Sequence, residues 1–353
     1  MADLGVDVLL LSVGADLPWL TGYQAMPLER LTMLVLPAKG EATLVVPRLE
    51  APRVTPRPEL FGIRAWDEVD DPIALVTDLV GPDRSRLAIS DRAWATFLIG
   101  LQAALPGREW VPASTVTASL RAIKDDAEVD ALRRASAAAD VVAAQLIGGE
   151  IPLIGRTEAE VSRDLGSRLL DAGHQVVNFA IVGSGPNSAS PHHEAGDRVI
   201  GPREAVVCDF GGTLDGYCSD ITRTVFTGPP PDDFVELYGI LRRAQAEAVG
   251  AATAGATCEA VDAVARRIIT DGGYGPFFVH RTGHGIGLEE HEDPYVVSGN
   301  TLPLRPGHAF SIEPGIYLPG RFGARIEDIV VVDHDGDPES LNRVDHALAV
   351  VEA

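Results

Sequence analysis

GRTEAEVSRDLGSRLLDAGH, residues 155–174, and GATCEAVDAVARRIITDGGY, residues 255–274, match at Gly155/Gly255, Thr157/Thr257, Val161/Val261, Asp171/Asp271 and Gly173/Gly273. Each copy puts a threonine where a helix N-cap belongs and a glycine where the helix stops. Thr157 with Glu160 completes a capping box. A strand is expected after each copy. The shared register of cap and stop predicts a duplicated helix–strand unit.

Upstream of the first copy, LRAIKDDAEVDALRRASAAADVVAAQLIGG keeps Val129, Leu132, Ala135, Ala139, Val142 and Leu146 at helical spacing. Asp125 or Asp126 caps this long helix, and Gly148-Gly149 ends it. Further upstream, short β-rich runs alternate with turn signals. Asp7–Val13, Leu31–Leu36, Ala42–Val46 and Arg86–Ile89 read as strands, and Asp71–Leu79 and Trp94–Leu105 as helices. PAKG, TPRPELFG and VGPDRS read as turns or loops. The fold class is therefore α/β (α+β), with a small domain over residues 1–118 and a larger one over 119–353.

Downstream of each copy, two acids stand at hairpin spacing. EAVVCDFGGTLDGYCSDITRTVF (204–226) reads as strand–turn–strand. With its centre between Leu214 and Asp215, Asp209 faces Asp220, with Cβ atoms about 5 Å apart. HAFSIEPGIYLPGRFGARIEDIVVV (308–332), centred near Gly320, sets Glu313 opposite Glu327 among apolar neighbours. A lone acid on an amphipathic strand ordinarily faces water. Two close pairs repel unless protonated, solvated or bridged by cations. HRTGHGIGLEEHEDP (280–294) adds an imidazole, best supplied by His284, whose flanking Gly283 and Gly285 allow close approach. Four carboxylates and one imidazole suit two divalent ions about 3.5–4 Å apart. The mixed O/N set favours Mn, Co, Zn or Fe over Ca.

Bulk properties bound the partners. The 353 residues carry 29 Lys+Arg and 51 Asp+Glu, a net charge of −22. That balance disfavours nucleic acid and anionic membranes. Cys208, Cys218 and Cys258 form no disulfide framework, which points to a reducing cytoplasm. The apolar run after MADLGVD lacks a basic flank and reads as a strand, not a signal peptide.

Taken together, these motifs resemble the pita-bread metallopeptidases of the creatinase/aminopeptidase type, closest to Xaa-Pro dipeptidase (prolidase) and Xaa-Pro aminopeptidase. WLTGY (19–23) resembles their N-terminal domain. The resemblance implies a creatinase-like N-terminal domain and a catalytic domain of pseudo-twofold duplicated halves. It also implies that Asp209 chelates one metal, that His284 and Glu313 bind the other, and that Asp220 and Glu327 bridge both. His192, in SASPHH, and His291 match the histidines at the scissile peptide, while His280 stays undecided and His193 is expected in solvent. Thr222 and Arg325 are expected to orient the carboxylate ligands.

The function implied is hydrolysis of the bond before proline in Xaa-Pro dipeptides by a metal-bridged hydroxide, with Glu313 carrying the proton to the proline nitrogen. Alternatives are an Xaa-Pro aminopeptidase on longer peptides, or a non-peptide small molecule as substrate. The resemblance also implies a homodimer. Phe179, Tyr217 and Tyr295 are the aromatic candidates for the proline pocket. In some prolidases a basic residue follows the HExP phrase; here Tyr295 stands there, so Arg48 is the candidate anchor for the product-side carboxylate.

Overall fold

The structure is a computed structural model and describes residues 1–352. The chain divides into two compact units, Met1–Arg121 and Ala122–Ala353.

The first unit is built on one mixed sheet. Its strands are β1 (Val8–Leu11), β2 (Met33–Pro37), β3 (Ala42–Pro47), β4 (Phe61–Trp66), β5 (Arg86–Ile89) and β6 (Glu109–Pro112). They lie in the order β4-β3-β2-β1-β5-β6. Helices α1 (Asp16–Thr21), α2 (Pro72–Val80), α3 (Ala95–Ala104) and α4 (Ser114–Arg121) complete it. The unbroken VLLL of β1 reflects burial on both faces. Val8 and Leu10 pack with Val76, Val80 and Leu101, while Leu9 and Leu11 pack with Leu17, Leu44 and Val116. Strand β4 escapes the sequence reading because Gly62, Ile63 and Arg64 are all exposed on an edge, so no period-two alternation exists to find.

The second unit repeats a plan. In its first half, α5 (Asp126–Ile147) and α6 (Glu158–Asp171) precede β7 (Val176–Ser184), β8 (Ala205–Leu214), β9 (Tyr217–Cys218) and β10 (Ile221–Thr227). In its second half, α7 (Asp232–Ala251) and α8 (Cys258–Asp271) precede β11 (Gly283–Gly285), β12 (Glu292–Val296), β13 (Ala309–Ile312), β14 (Gly315–Leu318), β15 (Phe322–Arg325), β16 (Asp328–Val332), β17 (Pro338–Ser340) and β18 (Ala349–Val351). The sheets run β18-β10-β8-β7 and β12-β11-β13-β16-β17, with β14-β15 as a separate hairpin.

The quoted repeat is α6 and α8. Thr157 and Thr257 cap the two helices, and Val161 and Val261 are fully buried at the same step. Gly155, Gly173, Gly255 and Gly273 all have positive φ, the conformation that excludes larger residues at low cost. Asp125, not Asp126, caps α5, in a capping box with Glu128. Each sheet is backed by its own helix pair. Cys208, Phe210 and Ile221 pack with Val161 and Leu165 of α6, and Phe310, Ile312 and Val330 pack with Val261 and Ala265 of α8. Side chains alternate along a strand, so Asp209, between Cys208 and Phe210, must point away from the helices.

The first hairpin corrects the expected register by one turn position. Leu214 pairs with Tyr217 and Asp209 with Thr222, so the turn centre lies between Asp215 and Gly216. Both turn residues have positive φ, 51° and 85°. A primed two-residue turn requires this, and Asp-Gly adopts it far more readily than Leu-Asp. Asp209 and Asp220 are thus diagonal rather than directly opposed, yet they share a face because the partner moves by two residues. In the second hairpin Ile312 pairs with Asp328 and Gly315 with Arg325, the register that sets Glu313 against Glu327. The ladder itself is interrupted there. Glu313 N donates to Thr282 O within its own sheet, and Glu327 N donates to Thr222 O, a bridge that ties the two sheets together.

Candidate metal centre and substrate pocket

The strand ends and breaks described above converge on one cavity of about 350 Å³. Its lining includes Asp209, Asp220, His284, Glu313 and Glu327, together with His192 and His291. His284 Nε2 lies 3.3 Å from Glu313 Oε1 and 3.7 Å from Asp220 Oδ2. Ligand atoms of Asp220, His284 and Glu327 all fall within 4.8 Å of one another.

His284 sits on β11 between glycines for a backbone reason. A Cβ at Gly283 would overlap the Ser311 carbonyl, and one at Gly285 would overlap the backbone of Glu292 and Asp293. The two neighbouring strands press against β11, so the glycines serve strand packing rather than substrate approach. His284 Nδ1 donates to Gly285 O at 3.1 Å, which leaves the Nε2 lone pair facing the carboxylates. Burial pushes its pKa down to about 3, so the imidazole is neutral and able to ligate.

The carboxylates show what they lack. Asp209 Oδ1 and Asp220 Oδ1 are buried without a hydrogen-bond partner. Burial raises Asp220 and Glu327 well above the ordinary carboxyl range, and the charges of neighbouring acids, Asp209 and Glu313 among them, add to it. Burial also pushes Glu313 up to about 7. Orphaned acceptors beside a neutral imidazole fit a divalent cation: positive charge satisfies the oxygens and removes the repulsion.

A stability prediction follows for the metal-free protein. Carboxyls raised in the fold bind protons that the unfolded chain releases, so their contribution is fully present below pH about 4 and is lost as pH rises through the folded values. The Tm of chelated protein is expected to fall between pH 5 and 8, and excess Mn²⁺ at pH 8 is expected to restore it. A chelated protein whose Tm is flat over that range would contradict this charge arrangement.

Thr222 and Arg325 contact the carboxylates. Thr222 Oγ1 donates to Glu327 Oε2 at 2.7 Å, and Arg325 Nη2 donates to Asp209 Oδ2 at 2.6 Å. Arg325 also reaches Thr222 Oγ1, Tyr317 Oη and Pro191 O. Tyr317 in turn donates to His280 Nε2, whose Nδ1 donates to Arg281 O. That chain ties His280, which lines the same cavity, to Arg325, and burial holds it neutral at a pKa of about 4. Sequence reasoning overlooked Tyr317, because nothing in SIEPGIY separates it from an ordinary strand tyrosine.

His192 and His291 are both accessible from the cavity. The His291 ring lies 4.0 Å from that of His284, and desolvation by the walls lowers its pKa. His193 is not in solvent as expected. Its Nε2 lies 2.7 Å from Glu158 Oε2, a carboxylate with no exposure that also accepts from Ser184 and Asn187. Glu158 therefore anchors the segment that carries His192, and its place in the first turn of α6, where an acid is ordinary, hides that role in the sequence. Of the aromatic candidates, Phe179 lines the cavity with Ile181 and Pro191. Tyr217 instead donates to Glu128 and packs with Val129 and Leu132, and Tyr295 lies under the Arg281 guanidinium. Arg48 is exposed, and Asp67 occupies its fork through both carboxylate oxygens.

The three cysteines are buried and unpaired. Among the described residues, no helix is long and apolar enough to cross a membrane.

Residues 130–334 match the family described as Metallopeptidase family M24, and residues 1–123 match the Creatinase/Prolidase N-terminal domain. The chain is 47% identical to a probable dipeptidase PepE of Mycobacterium tuberculosis, covering 99% of this chain and 93% of the relative. It is 35% identical to an Xaa-Pro dipeptidase of Lactobacillus delbrueckii, covering 95% and 93%. A prolidase structure from Thermococcus sibiricus superposes with a TM-score of 0.92 at 35% identity, covering 100% of this chain and 96% of that one.

Proposed function

This chain belongs to metallopeptidase family M24, and on that premise we propose that it hydrolyses Xaa-Pro dipeptides at a centre holding two divalent ions, Mn, Co or Zn. Asp209, Asp220, His284, Glu313 and Glu327 are the residues that would hold them. The observation that carries this reading is the pair of unpartnered buried oxygens, Asp209 Oδ1 and Asp220 Oδ1, in one cavity with a neutral imidazole. When bound, such ions supply Lewis acidity and make water acidic near neutral pH.

The remaining roles fall to the protein's own groups. His291, kept neutral, donates a hydrogen bond to the scissile carbonyl oxygen, where negative charge develops, and His192, in the same cavity, assists. Glu313, in the lining of the cavity, carries a proton to the departing proline nitrogen. Proline nitrogen brings no hydrogen of its own, so the proton must be delivered. Phe179, Ile181 and Pro191 offer the ring an apolar wall. A cavity of about 350 Å³ supports a small substrate.

We further assign the protein to the cytoplasm as a homodimer, without nucleic-acid or membrane partners. Three buried free thiols support the reducing compartment, and the net charge of −22 supports the lack of polyanion binding. The test is a substrate panel on chelated protein reloaded with Mn²⁺, Co²⁺ or Zn²⁺. Xaa-Pro is expected to be cleaved at least about tenfold better than Xaa-Pro-Yaa, a ratio of the size that one well-placed recognition contact gives. Preference for Xaa-Pro-Yaa would make it an aminopeptidase, and hydrolysis of neither would leave a non-peptide substrate.

A further inference from the structure

A dipeptidase must hold the free carboxylate of its product-side residue, and the cavity contains two guanidinium groups. Arg325 is committed within the protein: its Nε, Nη1 and Nη2 donate to Thr222, Tyr317, Pro191 O and Asp209. Arg281 is different. It lines the same cavity, is half-buried, and has its guanidinium carbon 4.5 Å from the centre of the Tyr295 ring. Among the described residues it forms no ion pair, although five carboxylates line that cavity. Stacking on an aromatic face fixes the guanidinium plane while leaving its N–H edge free for a fork-to-fork contact.

We propose that Arg281, braced by Tyr295, is the anchor for the C-terminal carboxylate of the dipeptide. This rests on the Xaa-Pro dipeptidase reading and names the group that would make the enzyme a dipeptidase. It also assigns a purpose to Tyr295, at the position where a basic residue was looked for: the aromatic ring supports a cation supplied from residue 281. Arg281 lies on the segment just before Gly283 and His284, so carboxylate recognition and metal ligation would share one strand entry. The carboxylate–guanidinium contact is bidentate and charge-assisted, and removing it acts on substrates that end in a carboxylate more than on their amides.

The experiment measures kcat/KM for an Xaa-Pro dipeptide and for its amide with metal-loaded wild type, Arg281→Met, Arg281→Lys, Tyr295→Ala and Arg48→Ala. Arg281→Met is expected to reduce the acid-over-amide ratio by about 50-fold, the size of a lost charge-assisted pair. Arg281→Lys should recover part of it, because charge returns without the fork. Tyr295→Ala should give a smaller loss of the same sign. A ratio in Arg281→Met within twofold of wild type would overturn the proposal. So would a collapse of the ratio in Arg48→Ala alone, which would put the anchor there. If wild type cleaves no Xaa-Pro dipeptide, the function reading itself fails and the anchor falls with it. Failure of the anchor alone shows as active variants with an unchanged ratio.

Discussion

Glu327→Gln is expected to lower kcat/KM by about a thousandfold or more while leaving the metal-free fold at least as stable as wild type. The two halves of that expectation have one cause. Glu327 is 2% exposed, and burial together with the neighbouring acids raises it far above its ordinary range. Without cations, its charge is a liability, and a neutral isostere that still accepts from Thr222 Oγ1 relieves it. On the proposed ligand assignment the same charge helps to hold the cations, and a site missing one ligand carboxylate would hold metal weakly. Metal content by elemental analysis should fall below wild type, and the Tm rise on adding Mn²⁺ should shrink. A residue that merely stabilised the fold would show the opposite, a lower Tm in chelated protein. That outcome would remove Glu327 from the ligand set.

How far the sequence carried this assignment depended on the kind of signal. Caps and stops are local, so Thr157, Thr257, Gly173 and Gly273 were legible without any tertiary knowledge. The second hairpin is legible because LPGRFG marks its turn, centred on Gly320, and that centre pairs Ile312 with Asp328 as observed. The first hairpin's expected centre lies one position too early, because Asp215-Gly216, not Leu214-Asp215, has the turn chemistry of a primed two-residue turn. What stayed illegible were contacts whose partners are far apart in sequence and chemically ordinary. Tyr317, the Glu158–His193 pair and the Arg281–Tyr295 stack are of this kind. Arg48 shows the reverse failure. An arginine just after a strand suggested a carboxylate anchor, and its own neighbour Asp67 already fills the fork.

Arg223→Met is expected to cost about 3–5 kcal/mol of stability, the typical loss when one partner of a buried ion pair is removed. Arg223 is 1% exposed, and its Nη2 donates to Asp328 Oδ1 at 2.8 Å. The other donors reach Glu327 O, Thr222 O and Val344 O. One side chain thus fastens the seam where β10 of the first half meets β16 of the second. Burial alone would raise Asp328, but the His346 hydrogen bond and the Arg223 charge outweigh it and hold it low. Methionine fills similar volume and leaves that carboxylate buried with only His346 and Gln245 as partners. Because a depressed carboxyl contributes stability above its unfolded pKa and loses it as pH falls, the deficit of the variant should be largest near neutral pH and shrink in acid. Adding Asp328→Asn should recover part of the loss by removing the stranded charge, a non-additivity that two independent sites would not show. Glu327 and Thr222 are held by the same guanidinium through their carbonyls, so metal affinity should fall together with stability. Denaturant unfolding that gives Arg223→Met within 1 kcal/mol of wild type would mean that the seam is held by other contacts.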